Sequence, residues 1–240
     1  MSFLRKKTLE KFVEKKPTRG SVCRVDDELL AEGDTEKSWR VFKIMSEFVS
    51  GFEILKKYGL AATFFGTARC KEGDIDCKMA RDLAHRLSDD GFAIITGGGG
   101  GVMSAANRGA YEAGGHSIGL NIQLPEEQRI NSYVTDSRSF HYFFIRKVML
   151  SYASEVYIFM PGGFGTLDEF FEIVTLVQTK KITSIPILLV GKKYWTPLVT
   201  WMQEMLYEQK KYINKEDIDL FHLVDSVDEA HELIRTLVPR

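Results

Sequence analysis

Glu155-Val156-Tyr157-Ile158-Phe159-Met160-Pro161-Gly162-Gly163-Phe164-Gly165-Thr166-Leu167-Asp168-Glu169 reads as a buried strand running straight into a glycine turn. The apolar run before Pro161 has strand length and no polar alternation, as a strand covered on both faces requires. After Glu169, residues Phe170, Phe171, Ile173, Val174, Leu176 and Val177 recur at helical spacing. The glycines therefore sit in a tight strand-to-helix turn, where missing side chains let a ligand approach the backbone. A helix start offers unpaired N–H groups and the positive end of a dipole, which suit a phosphate. Glu169, four residues after Gly165, adds a carboxylate that a bare phosphate cradle does not need. The pattern points to a site that binds a nucleotide and acts on it.

Outward from this turn, strands and helices alternate. From Ser38 to about Leu55, apolar residues at a period near 3.6 predict a helix. Strands are expected at 60–65, 91–95, 117–122, 155–160 and 185–190. Helices are expected at 76–87, 102–113, from about 140 to 153, after Gly165, from about 195 to 207, and from Asp225 onward. Residues 125–135 read as a loop. Near-continuous apolar strands separated by helices predict a parallel sheet covered on both faces. The expected fold is α/β: one domain, residues 36–240, with a Rossmann-like doubly wound parallel sheet. Residues 1–35 carry a basic run followed by an acidic one, and read as a charged, loosely ordered N-terminal extension.

The 240 residues suffice for a full core, and 44% hydrophobic with 27% charged content is ordinary for a soluble domain. A net charge of −1 gives no reason to expect nucleic acid or an anionic membrane as partner. The three cysteines, Cys23, Cys70 and Cys77, form no complete disulfide framework, which fits a reducing compartment. No apolar run reaches the roughly 18–20 residues of a membrane span, and no signal-peptide core is seen. A cytoplasmic enzyme or binding protein is expected. The five histidines are scattered without the spacing of a metal site, so no metal or cofactor is expected.

Three strands end in small-residue turns: Gly66-Thr67-Ala68, Gly97 to Gly101, and Gly162 to Thr166. A parallel sheet brings all three to one edge, where ligands bind in open α/β sheets. NAD fits poorly. Gly99-x-Gly101-x-x-Ser104 lacks the third glycine of the dinucleotide fingerprint, and Asn121 stands where its acidic residue belongs. No Gly-Lys-Ser/Thr phosphate loop is present. A mononucleotide remains.

Two residues carry the candidate chemistry. Glu169 closes Thr166-x-x-Glu169, the pattern of a capping box, and Asp168 would suit the helix dipole. Glu169 can alternatively face the ligand. Arg146, on the helix before the motif strand, reads as a surface arginine or as a fork onto phosphate or carboxylate.

The motif Pro161-Gly-Gly-Phe-Gly-Thr-Leu-Asp-Glu169 resembles the PGGxGTxxE signature of the Lonely Guy (LOG) proteins, cytokinin-activating phosphoribohydrolases once mislabelled lysine decarboxylases. Arg146-Lys147 resembles the family's Arg-Lys pair. Gly97–Gly101 and Phe65-Gly66-Thr67-Ala68-Arg69 are similar to its other two turns, the latter to the bacterial branch. The resemblance covers roughly residues 58–225. It implies hydrolysis of the N-glycosidic bond of a purine or cytokinin nucleoside 5′-monophosphate, without cofactor, by a homodimer or higher oligomer that buries the helix around 140–150. It further implies Arg146 and Glu169 as the catalytic pair. Substrate-contacting positions would be Gly66, Thr67, Gly98, Gly99, Glu127, Lys147, Gly162, Gly163, Phe164, Gly165, Thr166, Asp168 and Thr175. The residues before Arg146 differ from the Met-His-x-Arg-Lys of plant members, which favours AMP over a cytokinin. The competing expectation is a non-catalytic nucleotide-binding or carrier module, because molybdenum-cofactor carriers and some DNA-processing proteins share the scaffold.

Overall fold

A computed structural model of the chain describes residues 34–123 and 130–239. Two compact units are distinguished, Met1–Lys43 and Ile44–Arg240. In the first, helix α1 (Asp34–Leu55) begins, and the rings of Trp39 and Phe42 pack tilted with centroids 6.0 Å apart.

The second unit holds seven parallel strands: β1 (Ala61–Phe65), β2 (Ala93–Thr96), β3 (Ser117–Ile122), β4 (Asp136–Phe140), β5 (Val156–Phe159), β6 (Ile187–Val190) and β7 (His222–Val224). Their order is β4-β3-β2-β1-β5-β6-β7. The chain therefore builds outward from β1 to one edge, then returns to the other side of β1 to lay down β5. This is the doubly wound α/β sheet, and its order reverses between β1 and β5.

Helices α2 (Ile75–Asp89), α3 (Val102–Glu112) and α8 (Val227–Leu237) cover one face; α4 (Phe143–Ser151), α5 (Phe164–Gln178) and α6 (Lys192–Trp201) cover the other. A π-helical stretch, Met202–Gln209, continues α6, and a short α7 (Lys215–Ile218) precedes β7. Every residue of β1, β2, β5 and β6 is buried. Two coverings leave no solvent face, and this is why these strands read as near-continuous apolar runs.

The expectations miss two strands. β4, with the sequence Asp-Ser-Arg-Ser-Phe, lies at one edge and is mostly exposed; β7 lies at the other and is three residues long. An edge strand satisfies its backbone through one neighbour and need not bury its side chains, so neither leaves an apolar run to read. The helix expected from 140 shortens to Phe143–Ser151 because Phe140 belongs to β4. Cys70 and Cys77, from which no disulfide framework was expected, are joined by a disulfide with Cα atoms 6.2 Å apart. The turn after β1 folds back onto the first turn of α2, within bridging range. Paired in this way, these two cysteines give no sign of a reducing compartment.

Phe170 anchors the face beneath α5. Its fully buried ring meets those of Phe159, Trp195 and Phe221, each at a centroid distance of 5.5 Å. The Trp195 indole N–H donates to the Phe159 carbonyl at 3.2 Å, tying this cluster to β5. Phe170→Ala is expected to cost about 3–5 kcal/mol in urea unfolding. A loss below about 1 kcal/mol would show that the cluster does not hold α5 to the sheet.

Candidate active site

The switch point places three turns side by side, and backbone hydrogen bonds stitch them together. The Thr67 N–H donates to the Pro161 carbonyl at 2.9 Å, and the Val102 N–H donates to the Thr67 carbonyl at 2.9 Å. The turn after β1 is thus the joint between the turns after β2 and β5. Above it lies a cleft of about 980 Å³. Its walls come from Gly66–Arg69, from Gly97, Met103 and Ile122, from Phe143 and Arg146 on α4, and from residues 161–169.

Helix α5 begins at Phe164, with Gly163 in an extended conformation as its N-cap and no side-chain cap bond. Thr166 is therefore the third helical residue and Glu169 the sixth. The capping box is excluded, since it needs the threonine at the N-cap. The helix starts early because the glycines supply the turn themselves. A Cβ on Gly162 would collide with the Thr166 side chain, so this close fit demands glycine. Asp168 likewise lies beyond the first turn and forms an ion pair with Lys147 at 2.7 Å.

Freed from capping, Glu169 is buried, 6% exposed, and lines the cleft with its Oε2 bound to no hydrogen-bond partner. Burial pushes its pKa from 4.5 up to about 7; Arg146 pulls it down, and Glu172 pushes it up again. No ion pair within 4 Å joins Glu169 to Arg146 among the described residues, though each acts electrostatically on the other. Arg146 is held by other means. Its Nε donates to the Leu120 carbonyl at 2.8 Å, and its guanidinium rests where a Cβ on Gly97 would stand. Burial lowers its pKa, against the pull of Glu169.

The expected site residues divide. Gly66, Thr67, Gly162, Gly163, Phe164, Gly165, Thr166 and Asp168 line the cleft together with Arg146 and Glu169. Gly98 and Gly99 do not: Gly98 packs on the Asn121 side chain, and the Gly99 carbonyl accepts from Asn131 at 3.1 Å. Gly97 reaches the cleft in their place. Lys147 lies one residue off the wall, paired to Asp168 and Glu172. Thr175 sits well along α5, exposed, its hydroxyl donating to the Phe171 carbonyl at 2.6 Å. Glu127 falls outside the described residues. Sequence reasoning missed Arg69, Asp76, Met103, Ile122 and Phe143 as wall residues. Arg69 and Asp76 flank the glycine-type turn after β1, and Phe143 lies one helical turn before Arg146; those neighbourhoods were the available signals.

The fold and site define a class: a doubly wound α/β protein with a charged cleft at the point where strand order reverses. Within that class the chain belongs to the Lonely Guy family, whose sequence profile, described as "Possible lysine decarboxylase", matches residues 103–234. A curated relative from Arabidopsis thaliana, "Cytokinin riboside 5'-monophosphate phosphoribohydrolase LOG4", is 27% identical over 185 residues, 75% of this chain and 82% of that protein. "Probable cytokinin riboside 5'-monophosphate phosphoribohydrolase LOGL5" from Oryza sativa subsp. japonica is 31% identical over 133 residues, 54% of this chain. The match spans only about half of that relative, 53%. A bacterial phosphoribohydrolase of the same name class, from Rhodococcoides fascians, is 23% identical across 55% of this chain and 68% of its own length. Among solved structures, the molybdenum cofactor carrier protein of Chlamydomonas reinhardtii superposes with a TM-score of 0.58 at 23% identity, covering 75% of this chain and 99% of that one. That likeness concerns the fold.

The burial of Glu169 has a consequence for stability. Between about pH 4.5 and 7 the folded protein keeps a proton that the unfolded chain releases, so stability falls as pH rises through this window. Glu169→Gln stays neutral and escapes the loss. Relative to the parent it is expected to gain on the order of 3 kcal/mol between pH 4 and pH 8, measured by urea unfolding at both. An equal difference at both pH values would show that Glu169 is not held in the dehydrated state described.

Proposed function

We propose that this chain hydrolyses the N-glycosidic bond of a purine nucleoside 5′-monophosphate, AMP in preference to a cytokinin nucleotide, releasing free base and ribose 5-phosphate. The observation that carries the reading is Glu169: a buried carboxylate with an unpartnered oxygen, facing a cleft walled by backbone turns and sharing it with a fixed guanidinium. Membership of the family, and the phosphoribohydrolase names of its relatives, support the hydrolase part of this reading; the preference for AMP rests on the residues before Arg146.

The turn from Gly162 to Thr166 and the start of α5 receive the 5′-phosphate, with backbone N–H groups and the helix dipole as the attractive elements. Holding that end places the ribose deeper, toward Glu169, and turns phosphate binding into positioning. Cleavage of the bond at C1′ builds oxocarbenium character on the sugar. An ionised Glu169 stabilises that charge and takes a proton from the attacking water. The water oxygen joins C1′, and the base departs with the electron pair of the broken bond and takes up the proton the water gave to Glu169, which restores the carboxylate. Arg146 keeps Glu169 from drifting further toward the neutral form, since its charge opposes the burial effect.

The amine chemistry in the family's descriptive name draws no support from the cleft. A Schiff-base lysine needs a lowered pKa, whereas Lys147, despite burial, is raised by its hydrogen bonds to Asp168 and Glu172. A pure carrier would have no task for the Arg146 and Glu169 pair.

Glu169→Gln and Arg146→Ala are each expected to reduce release of adenine from AMP by at least about 100-fold, read by chromatography of the products. For the parent, kcat/KM should climb with pH and level off above about 7, as Glu169 ionises. Full activity in Glu169→Gln, or tight AMP binding with no base released by the parent, contradicts the hydrolase reading.

We also propose that the protein is a homodimer associating around α4 and the neighbouring part of α1. Phe144, Tyr152, Met45, Val49 and Phe52 leave 42–59% of their surface exposed on these helices, a large apolar area for one chain. Glu47 on α1 accepts from the backbone N–H of His141 and Tyr142, so the two helices present adjacent surfaces. Sedimentation equilibrium should return the mass of two chains, and a mass of one chain contradicts this.

A further inference from the structure

The cleft is chemically two-sided. By strand order, the turn after β5, Gly162 to Thr166, lies on one side of the turn after β1, while Met103 and Ile122, which follow β2 and β3, lie on the other, where Phe143 adds an aromatic ring to the lining. A nucleoside monophosphate has the same polarity, an anion at one end and a flat heterocycle at the other. If the phosphate takes the turns, the base reaches the opposite wall.

Phe143 is the residue on that wall suited to receive it. It is the first residue of α4, lines the cleft and remains 53% exposed. One helical turn later on the same side comes Arg146, whose guanidinium carbon lies 5.9 Å from the Phe143 ring centroid. That contact is a cation–π pair, and it fixes the ring from one side. Arg146 is itself pinned by the Leu120 carbonyl, so the support beneath the ring is rigid. An exposed phenyl ring backed by an immobile cation is a ready stacking platform, and little side-chain entropy is lost when a base settles on it.

We propose that Phe143, supported by Arg146, is the residue that recognises the base, stacking the fused rings of a purine against its open face. Phe164 is the rival aromatic in the cleft, 93% exposed. It begins α5 beside the turn assigned to the phosphate, one glycine from either flank, and so lies at the wrong end of the ligand for the base. The role of Phe143 rests on the nucleotide reading of the cleft, and it adds a determinant of which nucleotide is held.

The test is calorimetric binding of AMP and, separately, ribose 5-phosphate, to the parent protein and its variants, with folding checked by urea unfolding. Phe143→Ala and Phe143→Leu are expected to weaken AMP binding about tenfold, the scale of a single base stacked on an aromatic ring. Ribose 5-phosphate, which has no base, should bind both variants as it binds the parent. Phe143→Tyr keeps the π-face and should restore AMP affinity. Unchanged AMP affinity in Phe143→Ala overturns the proposal, as does equal weakening of both ligands, or a loss that follows Phe164→Ala instead. Adenine release by the parent protein tests the hydrolase reading on its own. Selective weakening without release sinks the hydrolase and leaves the stacking residue standing; release with unchanged affinity does the reverse.

Discussion

Everything distinctive in this molecule depends on keeping one carboxylate out of water. Glu169 is carried into the interior by the sixth position of α5, and the fold gives it no hydrogen bond to its Oε2 in return. Such burial is costly for an ionised group, and here it is met by a shift in pKa to about 7 rather than by a direct ion pair. Arg146 lies in the same cleft but is committed to the Leu120 carbonyl and to Phe143. The two charges influence each other at a distance. An arrangement that cancelled them by contact would be more stable and would leave nothing over for a ligand.

The sheet makes this arrangement affordable. Because β1 lies between β2 and β5, the three turns that follow these strands must meet, and Thr67 bonds to both neighbours through its backbone. The N–H and C=O of Thr67 are therefore already satisfied by the fold. Close packing finishes it: Thr166 against Gly162, and Arg146 against Gly97, leave no room for a side chain at either glycine. Glu169 Oε2 is a buried polar atom that lines the cleft without a hydrogen bond, and its raised pKa is the kind of perturbation that clusters at functional sites.

Much of this was legible from residues alone, for a definite reason. Strands buried on two faces are mostly apolar, so β1, β2, β3, β5 and β6 announced themselves despite buried Thr63, Thr96, Ser117 and Asn121, and with them the parallel sheet and the shared edge of the turns. The edge strands were not legible, because an edge needs only one hydrogen-bonded neighbour and β4 is largely polar. Arg146 and Glu169 could be named from spacing, yet the capping reading of Thr166 and Glu169 fitted the local pattern as well. Only the true start of α5, set by the extended Gly163, separates the two. The Cys70–Cys77 bond, only seven residues apart, depends on the turn after β1 folding back onto α2, and the place of Phe143 on the wall depends on how α4 returns to the sheet.

The central claim is that Glu169 faces the anomeric carbon of a bound ribotide. The direct measurement is a crystal structure of the Glu169→Gln protein soaked with AMP. Expected is a 5′-phosphate on the turn from Gly162 to Thr166, with the residue-169 side chain within one water molecule of C1′. A nucleotide bound in the opposite sense, or with C1′ far from that side chain, would contradict the assignment and leave a nucleotide receptor without catalysis.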